Sequence, residues 1–260
     1  AFYDEMAGIL ENEGLDVVRT PFCRIESEFK SVVADYEKQN VDCIVTLHMA
    51  YSPSLESSEA LVNTKLPVVV MDTTMTYEFA PTTDNDEIDY NHGIHGVMDF
   101  CNLLKRGNKP YAITCGHYKE SDVVKETVKY VKASVAATSV KGTKVGVFGG
   151  SFSGMGDFIV TPEEMKENFD VEFIVSDNDE ARLITQSVTD EEIDAEVAAD
   201  KEIFDFPIDI EDEVYRMNTR ACLSIRKWIE KEKLDAFSVN FLKACPAYGI
   251  DSMPFIEACK

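Results

Sequence analysis

The sequence is poor in positive charge: 25 Lys and Arg stand against 48 Asp and Glu, giving a formal net charge of −23 over 260 residues. A phosphate backbone or an anionic membrane surface needs clustered cations, so neither nucleic acid nor membrane is an expected partner. Long apolar runs are missing too; none approaches the roughly 20 residues of a membrane span, and no leader segment opens the sequence. The seven cysteines (Cys23, Cys43, Cys101, Cys115, Cys222, Cys245 and Cys259) are dispersed and form no Cys-x-x-Cys pair. That argues against a disulfide framework or zinc knuckle and for reduced thiols in the cytoplasm. Histidine is limited to His48, His92, His95 and His117, with no His-Glu-x-x-His pattern. The glycine-rich stretch Gly149-Gly-Ser-Phe-Ser-Gly-Met-Gly156 lacks the Lys-Ser/Thr of a phosphate loop and the Gly-x-Gly-x-x-Gly spacing. Ser151 and Ser153 lack the Gly-x-Ser-x-Gly elbow of a serine nucleophile.

What is present is an α/β rhythm. Phe2, Met6, Ile9 and Leu10 share one helical face, which Gly14 closes. Strands follow at 15–18, 41–47 and 67–71, separated by helices at 24–38 and 54–64. Apolar strands alternating with amphipathic helices predict a parallel sheet covered on both faces. Such a sheet opens with a strand, so a leading strand is expected to be missing here. An irregular stretch at 72–92 precedes a helix over 96–106. The rhythm restarts after Lys109-Pro110: strands at 111–115, 144–148, 171–175 and 235–241, helices at 121–137, 190–204, 212–232 and 253–260. The expected fold is two consecutive doubly wound, Rossmann-like three-layer domains with mainly parallel sheets. Their bounds are 1–108 and 109–245, with 246–260 beginning a truncated third domain.

Ligand crevices of open α/β sheets lie beyond the carboxyl ends of the strands. Three of the four histidines (His48, His92, His95 and His117) fall just past such ends or at the mouth of a connecting loop, and Tyr51-Ser-Pro53 ends the strand that contains His48. His92 and His95, at i and i+3, share a face if both are helical. Further ligands would be needed for a metal site, so polar substrate contact is the better reading. Phe152 and Met155 suit a pocket wall, and Asn240 and Phe241 a crevice edge. The acidic run 190–213 reads as a solvated helix face.

Four segments, in order, resemble the L-arabinose/L-fucose isomerase family, closest to its arabinose-type branch. They are Tyr51-Ser-Pro53, Asn91-His-Gly-Ile-His-Gly96, Thr114-Cys-Gly-His117 and the stretch Phe148-Gly-Gly-Ser-Phe-Ser-Gly-Met-Gly-Asp-Phe-Ile-Val-Thr161. The resemblance implies the N-terminal and central domains of an aldose–ketose isomerase, in which carboxylates beside a Mn²⁺ ion shuttle a proton between C1 and C2. The family's metal ligands have no counterpart in 242–260, so these residues alone are expected to be inactive. The resemblance assigns no catalytic or metal-binding residue to this chain. It implies a trimer or hexamer in which Tyr51, His92 and His95 reach a neighbour's sugar, a pentose or 6-deoxyhexose, while Met155 and Phe241 line the same subunit's pocket. His92 stands where the family has Gln. The other reading is a non-catalytic sugar-binding module of two α/β domains.

Overall fold

The computed structural model describes residues 1–156, 159–206 and 209–260. The chain is mixed helix and strand with two three-stranded parallel sheets, one in each of two compact units, Ala1–Thr138 and Ser139–Lys260. Among the described residues no helix is long and apolar enough to cross a membrane.

In the first unit the order is α1 (Phe2–Asn12), α2 (Glu26–Gln39), β1 (Ile44–Leu47), α3 (Ser54–Asn63), β2 (Val68–Asp72), α4 (Asp86–Tyr90), α5 (Gly93–Arg106), β3 (Tyr111–Cys115) and α6 (Val123–Ser139). The sheet order is β1-β2-β3. Every residue of β2 is buried, as a central strand covered on both faces requires. The two-residue period of a strand sorts its side chains. Val68 and Val70 enter a core with Val33 of α2, Leu61 of α3 and Phe100 and Leu104 of α5. Met71 points the other way, into a core with Phe2, Met6 and Leu10 of α1 and Val123, Val124 and Val128 of α6.

Three expectations need correction here. The Lys109-Pro110 pair is not a boundary: β3 pairs with β2 from Val68↔Tyr111 to Asp72↔Cys115 and completes the first sheet. Lys109 is tied back, its Nζ donating to the carbonyls of Thr64 (2.5 Å) and Leu66 (2.8 Å), and the division falls after Thr138 instead. Residues 15–18 form no strand and pair with none. The helix expected at 253–260 is only a 3-10 turn, Glu257–Cys259, because so short a segment, broken by Pro254, cannot offset helix nucleation.

The second unit runs β4 (Lys144–Phe148), α7 (Pro162–Phe169), β5 (Glu172–Val175), α8 (Asn178–Gln186), α9 (Asp190–Ile203), α10 (Asp212–Glu232) and β6 (Ala236–Val239), with sheet order β5-β4-β6. Thr161 and Thr189 cap α7 and α9, each accepting from the backbone N–H three residues on while that residue's Glu accepts from the cap's own N–H. The single tryptophan, Trp228 of α10, lies against Gly146 of β4, where a Cβ would come within 2.7 Å of the indole. Glycine is what lets the longest helix pack directly on the central strand.

Residues 246–260 belong to this second unit rather than opening a third one. Ile250 is buried in its core, and Asn218 of α10 donates to Ser252 Oγ (3.0 Å) and the Met253 carbonyl (2.7 Å). Arg226 of α10 forks between Glu196 of α9 (2.9 Å, from Nη1) and Glu257 of the tail (2.9 Å, from Nε). Lys260 adds ion pairs to Glu196 and Asp200. Hydrogen bonding from the Arg226 guanidinium holds the Glu196 carboxyl down at about 2, from an ordinary 4.5.

A carboxyl depressed in the folded state contributes stability above its unfolded value and loses it as pH falls through the folded one. The difference in urea midpoint between wild type and Arg226→Gln is therefore expected to be full at pH 7 and to shrink from about pH 4.5 towards pH 2. A difference that stays constant across that window would show the network carries no such linkage.

Candidate functional site

Each unit gathers polar and aromatic groups beyond the carboxyl ends of its strands, where open α/β sheets bind ligands. In the first unit the arrangement depends on how closely α5 approaches the loop after β1. A Cβ on Gly93 would lie 2.5 Å from the His48 carbonyl oxygen, and one on Gly96 would lie 3.1 Å from Ser52 N and O. No other residue permits that contact without moving backbone. Ser54, opening α3, donates to Asp99 of α5 and fixes the same approach from the other side.

The close approach assembles three of the expected contact residues. The Tyr51 and His92 rings are 5.8 Å apart, and His95 meets His92 edge-on at 4.4 Å. His92 is half-buried, whereas Tyr51 and His95 are exposed. Helix α5 begins at Gly93, three residues before the expected start, which puts His92 at the cap and His95 in the first turn. The site thus offers one phenol hydroxyl and two imidazoles, groups that both donate and accept hydrogen bonds, beside aromatic faces that suit C–H-rich surfaces.

The other two histidines have different work. His48 lies below the rim, its ring 5.6 Å from that of fully buried Phe100; burial holds its pKa below the ordinary value, and Nδ1 has no partner. His117 fastens a loop. Its Nδ1 accepts from the N–H groups of Lys119 and Glu120 (3.3 Å each), leaving Nε2–H to donate to the Met75 carbonyl at 3.3 Å, a tautomer assigned from these partners.

Asn91 organises the stretch 72–92 that sequence leaves irregular. Its Oδ1 accepts from the N–H groups of Met75 (3.0 Å) and Thr76 (2.9 Å), and its Nδ2 donates to Thr76 Oγ1 (3.1 Å) and the Glu87 carbonyl (2.8 Å). Asp72 and Thr73, at the end of β2, escaped the sequence reading. Burial pushes the Asp72 carboxyl up; it accepts from the Cys115 thiol at 3.3 Å, while the Thr73 hydroxyl is buried without a partner. The available signal was a lone acid ending an apolar strand.

In the second unit the turn after β4 uses Gly149 and Gly150, at φ of +77° and +72°. Asn240 braces it, donating from Nδ2 to the Gly150 carbonyl (3.1 Å) and from its N–H to the Phe148 carbonyl (2.9 Å). The ring that meets Phe241 is Phe152, at 4.9 Å; Met155 stands half-exposed further along the loop. Asp157 and Phe158 of the family-like stretch lie outside the described residues. Among the described residues no three His, Cys, Asp or Glu side chains converge as metal ligands, and the His92–His95 pair has no third member.

No family model matches the chain. It is 21% identical over 206 residues to an L-arabinose isomerase of Clostridium beijerinckii, a match covering 78% of this chain and 42% of that protein. The similarity is distant, and the chain spans less than half of that relative's length.

Gly93→Ala is expected to cost about 1–3 kcal/mol in urea denaturation, since the new methyl must displace backbone. Gly8→Ala, in α1 with open space around it, should stabilise by about 0.5–1 kcal/mol. Equal effects of the two substitutions would remove the argument for a glycine-dependent contact.

Proposed function

We propose that this chain supplies the sugar-contacting part of a metal-dependent aldose–ketose isomerase of the L-arabinose or L-fucose type. One observation carries the reading: Tyr51, His92 and His95 meet on one rim of the first sheet, in segments resembling that family. The distant similarity to an L-arabinose isomerase supports an isomerase-like role.

On this reading the phenol hydroxyl and the two imidazoles hold the hydroxyl groups of a pentose or 6-deoxyhexose and orient its carbon chain. Phe241 and Met155 contribute an apolar wall in the second unit. The family's manganese ion does not fit the residues described here, because none of their groupings forms a ligand set. Its donors belong, in our proposal, to another part of the protein, and no proton transfer is assigned to this chain. The three rim residues serve a neighbouring subunit of a cytoplasmic trimer or hexamer, which explains a polar cluster placed at an exposed edge.

A chimera tests this: the chain joined to the part of the Clostridium beijerinckii L-arabinose isomerase that it does not match. With Mn²⁺ it is expected to form the ketose from L-arabinose, and His92→Ala and His95→Ala should each lower kcat/KM about tenfold or more, the value of one or two lost hydrogen bonds. A folded chimera without turnover, or one indifferent to both substitutions, would contradict the proposal. Micromolar, metal-free calorimetric binding of L-arabinose by the unmodified chain alone, as opposed to weak millimolar contact, would favour a stand-alone sugar-binding module instead.

A further inference from the structure

A cavity of about 420 Å³ opens in the second unit between the end of α8, the middle of α10 and the tail after β6. It is large enough for a small molecule, and backbone contacts fix its walls. At Gly249 (φ +99°) a Cβ would lie 2.5 Å from Ala181 Cβ and 2.8 Å from Arg182 N, so the tail lies flat on α8 because no side chain intervenes. Thr185 donates from Oγ1 to the Gly249 carbonyl, and Arg182 donates from Nη1 to the Ala247 carbonyl at 3.1 Å.

The charges that line this cavity are not alike. Arg182 is engaged on both sides, with the Ala247 carbonyl and with the carboxylate of Asp179. Arg220 of α10 is not. The one acid within 4 Å of it among the described residues is Asp190, at 3.8 Å, which is beyond hydrogen-bond length. Asp190 is itself taken by Arg216 at 3.0 Å. Asp251 of the tail has no hydrogen-bond or ion-pair partner among the described residues. It does not pair with Arg220, although both border the same cavity. Both side chains are partly buried, and a charge drawn out of water without a partner is unfavourable.

The cavity therefore holds one unengaged cation and one unengaged anion apart. A simple anion meets Asp251 and a chain of net charge −23. A simple cation meets two guanidinium groups. A neutral sugar leaves both charges unanswered. A molecule that carries both signs satisfies both groups at once, and its net charge of zero spares it the repulsion of the acidic surface. A carboxylate also matches the planar donor fork of arginine. Val188 and Pro246 border the same space and suit the carbon spacer between the two charges.

We infer that this cavity binds a small zwitterion of the amino-acid type, its carboxylate on the Arg220 guanidinium and its ammonium group on the Asp251 carboxylate. The sugar contacts proposed above have no part in it, since they lie on other residues and answer to a different ligand chemistry.

The probes are glycine, β-alanine, γ-aminobutyrate and ε-aminocaproate, titrated into the whole chain and followed by calorimetry and two-dimensional NMR. Butyrate and butylammonium serve as single-charge controls. The series steps the distance between the two charges, so one member is expected to bind best, with Kd below about 1 mM. It should bind roughly tenfold or more tightly than either control and shift the amide signals of Thr185, Gly249 and Asp251. Arg220→Gln and Asp251→Asn should each weaken that member roughly tenfold or more, as expected when a contact to a charged group is lost. Butyrate binding as tightly as the best amino acid would make this a plain anion site and overturn the inference. No saturable binding, or binding indifferent to both substitutions, would overturn it too. The single-charge controls decide the matter even if a variant fails to fold.

Discussion

The backbone-to-backbone approach of α5 to the loop after β1 is the constraint on which the candidate site rests. Two glycines one turn apart remove the side chains that would hold the helix off, and the His48 carbonyl and Ser52 backbone occupy the space. Everything polar at the rim follows from that contact. His92 stands at the N-cap position of the helix, His95 in its first turn, and Tyr51 is carried in on the opposing loop. Widening the seam would separate the three rings without touching any of them. Beneath the rim, Phe100 is fully buried and supports the His48 ring, so the polar layer sits on an apolar floor that resists collapse.

The second unit solves a different problem. Helix α9 is strongly acidic, and one bidentate guanidinium on α10 gathers carboxylates that would otherwise repel. Arg226 joins α9, α10 and the tail in one cluster, with Lys260 closing it from the end of the chain. The cluster explains why 246–260 packs onto this unit even though it forms only short 3-10 turns. Hydrophobic contact at Ile250 and the hydrogen bonds from Asn218 do the rest.

Most of the architecture was legible. Short apolar runs located β2, β3 and β4 nearly to the residue, and the continuous valines of β2 mark it as the buried centre of a parallel sheet. The errors have physical causes. A restart of the βα rhythm at Lys109-Pro110 looked like a linker, but strand order is a tertiary property and β3 chose β2 as its neighbour. Helix α7 carried its signature, Thr161 followed three residues later by Glu164, yet was passed over beside the glycine loop. Residues 15–18 had strand alternation but no partner strand, which no local pattern can report. At the site, Tyr51 could be placed beyond a strand end and His92 and His95 at the opening of a helix, but only the family resemblance implied that the three act together. The Asp72–Cys115 pair depended on β2 and β3 lying side by side, and so stayed hidden.

On the proposed function, the rim built by Tyr51, His92 and His95 is a sugar-contacting surface. Its most direct measurement is two-dimensional NMR of the whole chain titrated with millimolar L-arabinose and, in parallel, L-fucose. Progressive shift changes confined to these three residues and their immediate neighbours in the first unit are expected. Changes absent from the rim, or found only around the glycine turn of the second unit, would contradict it.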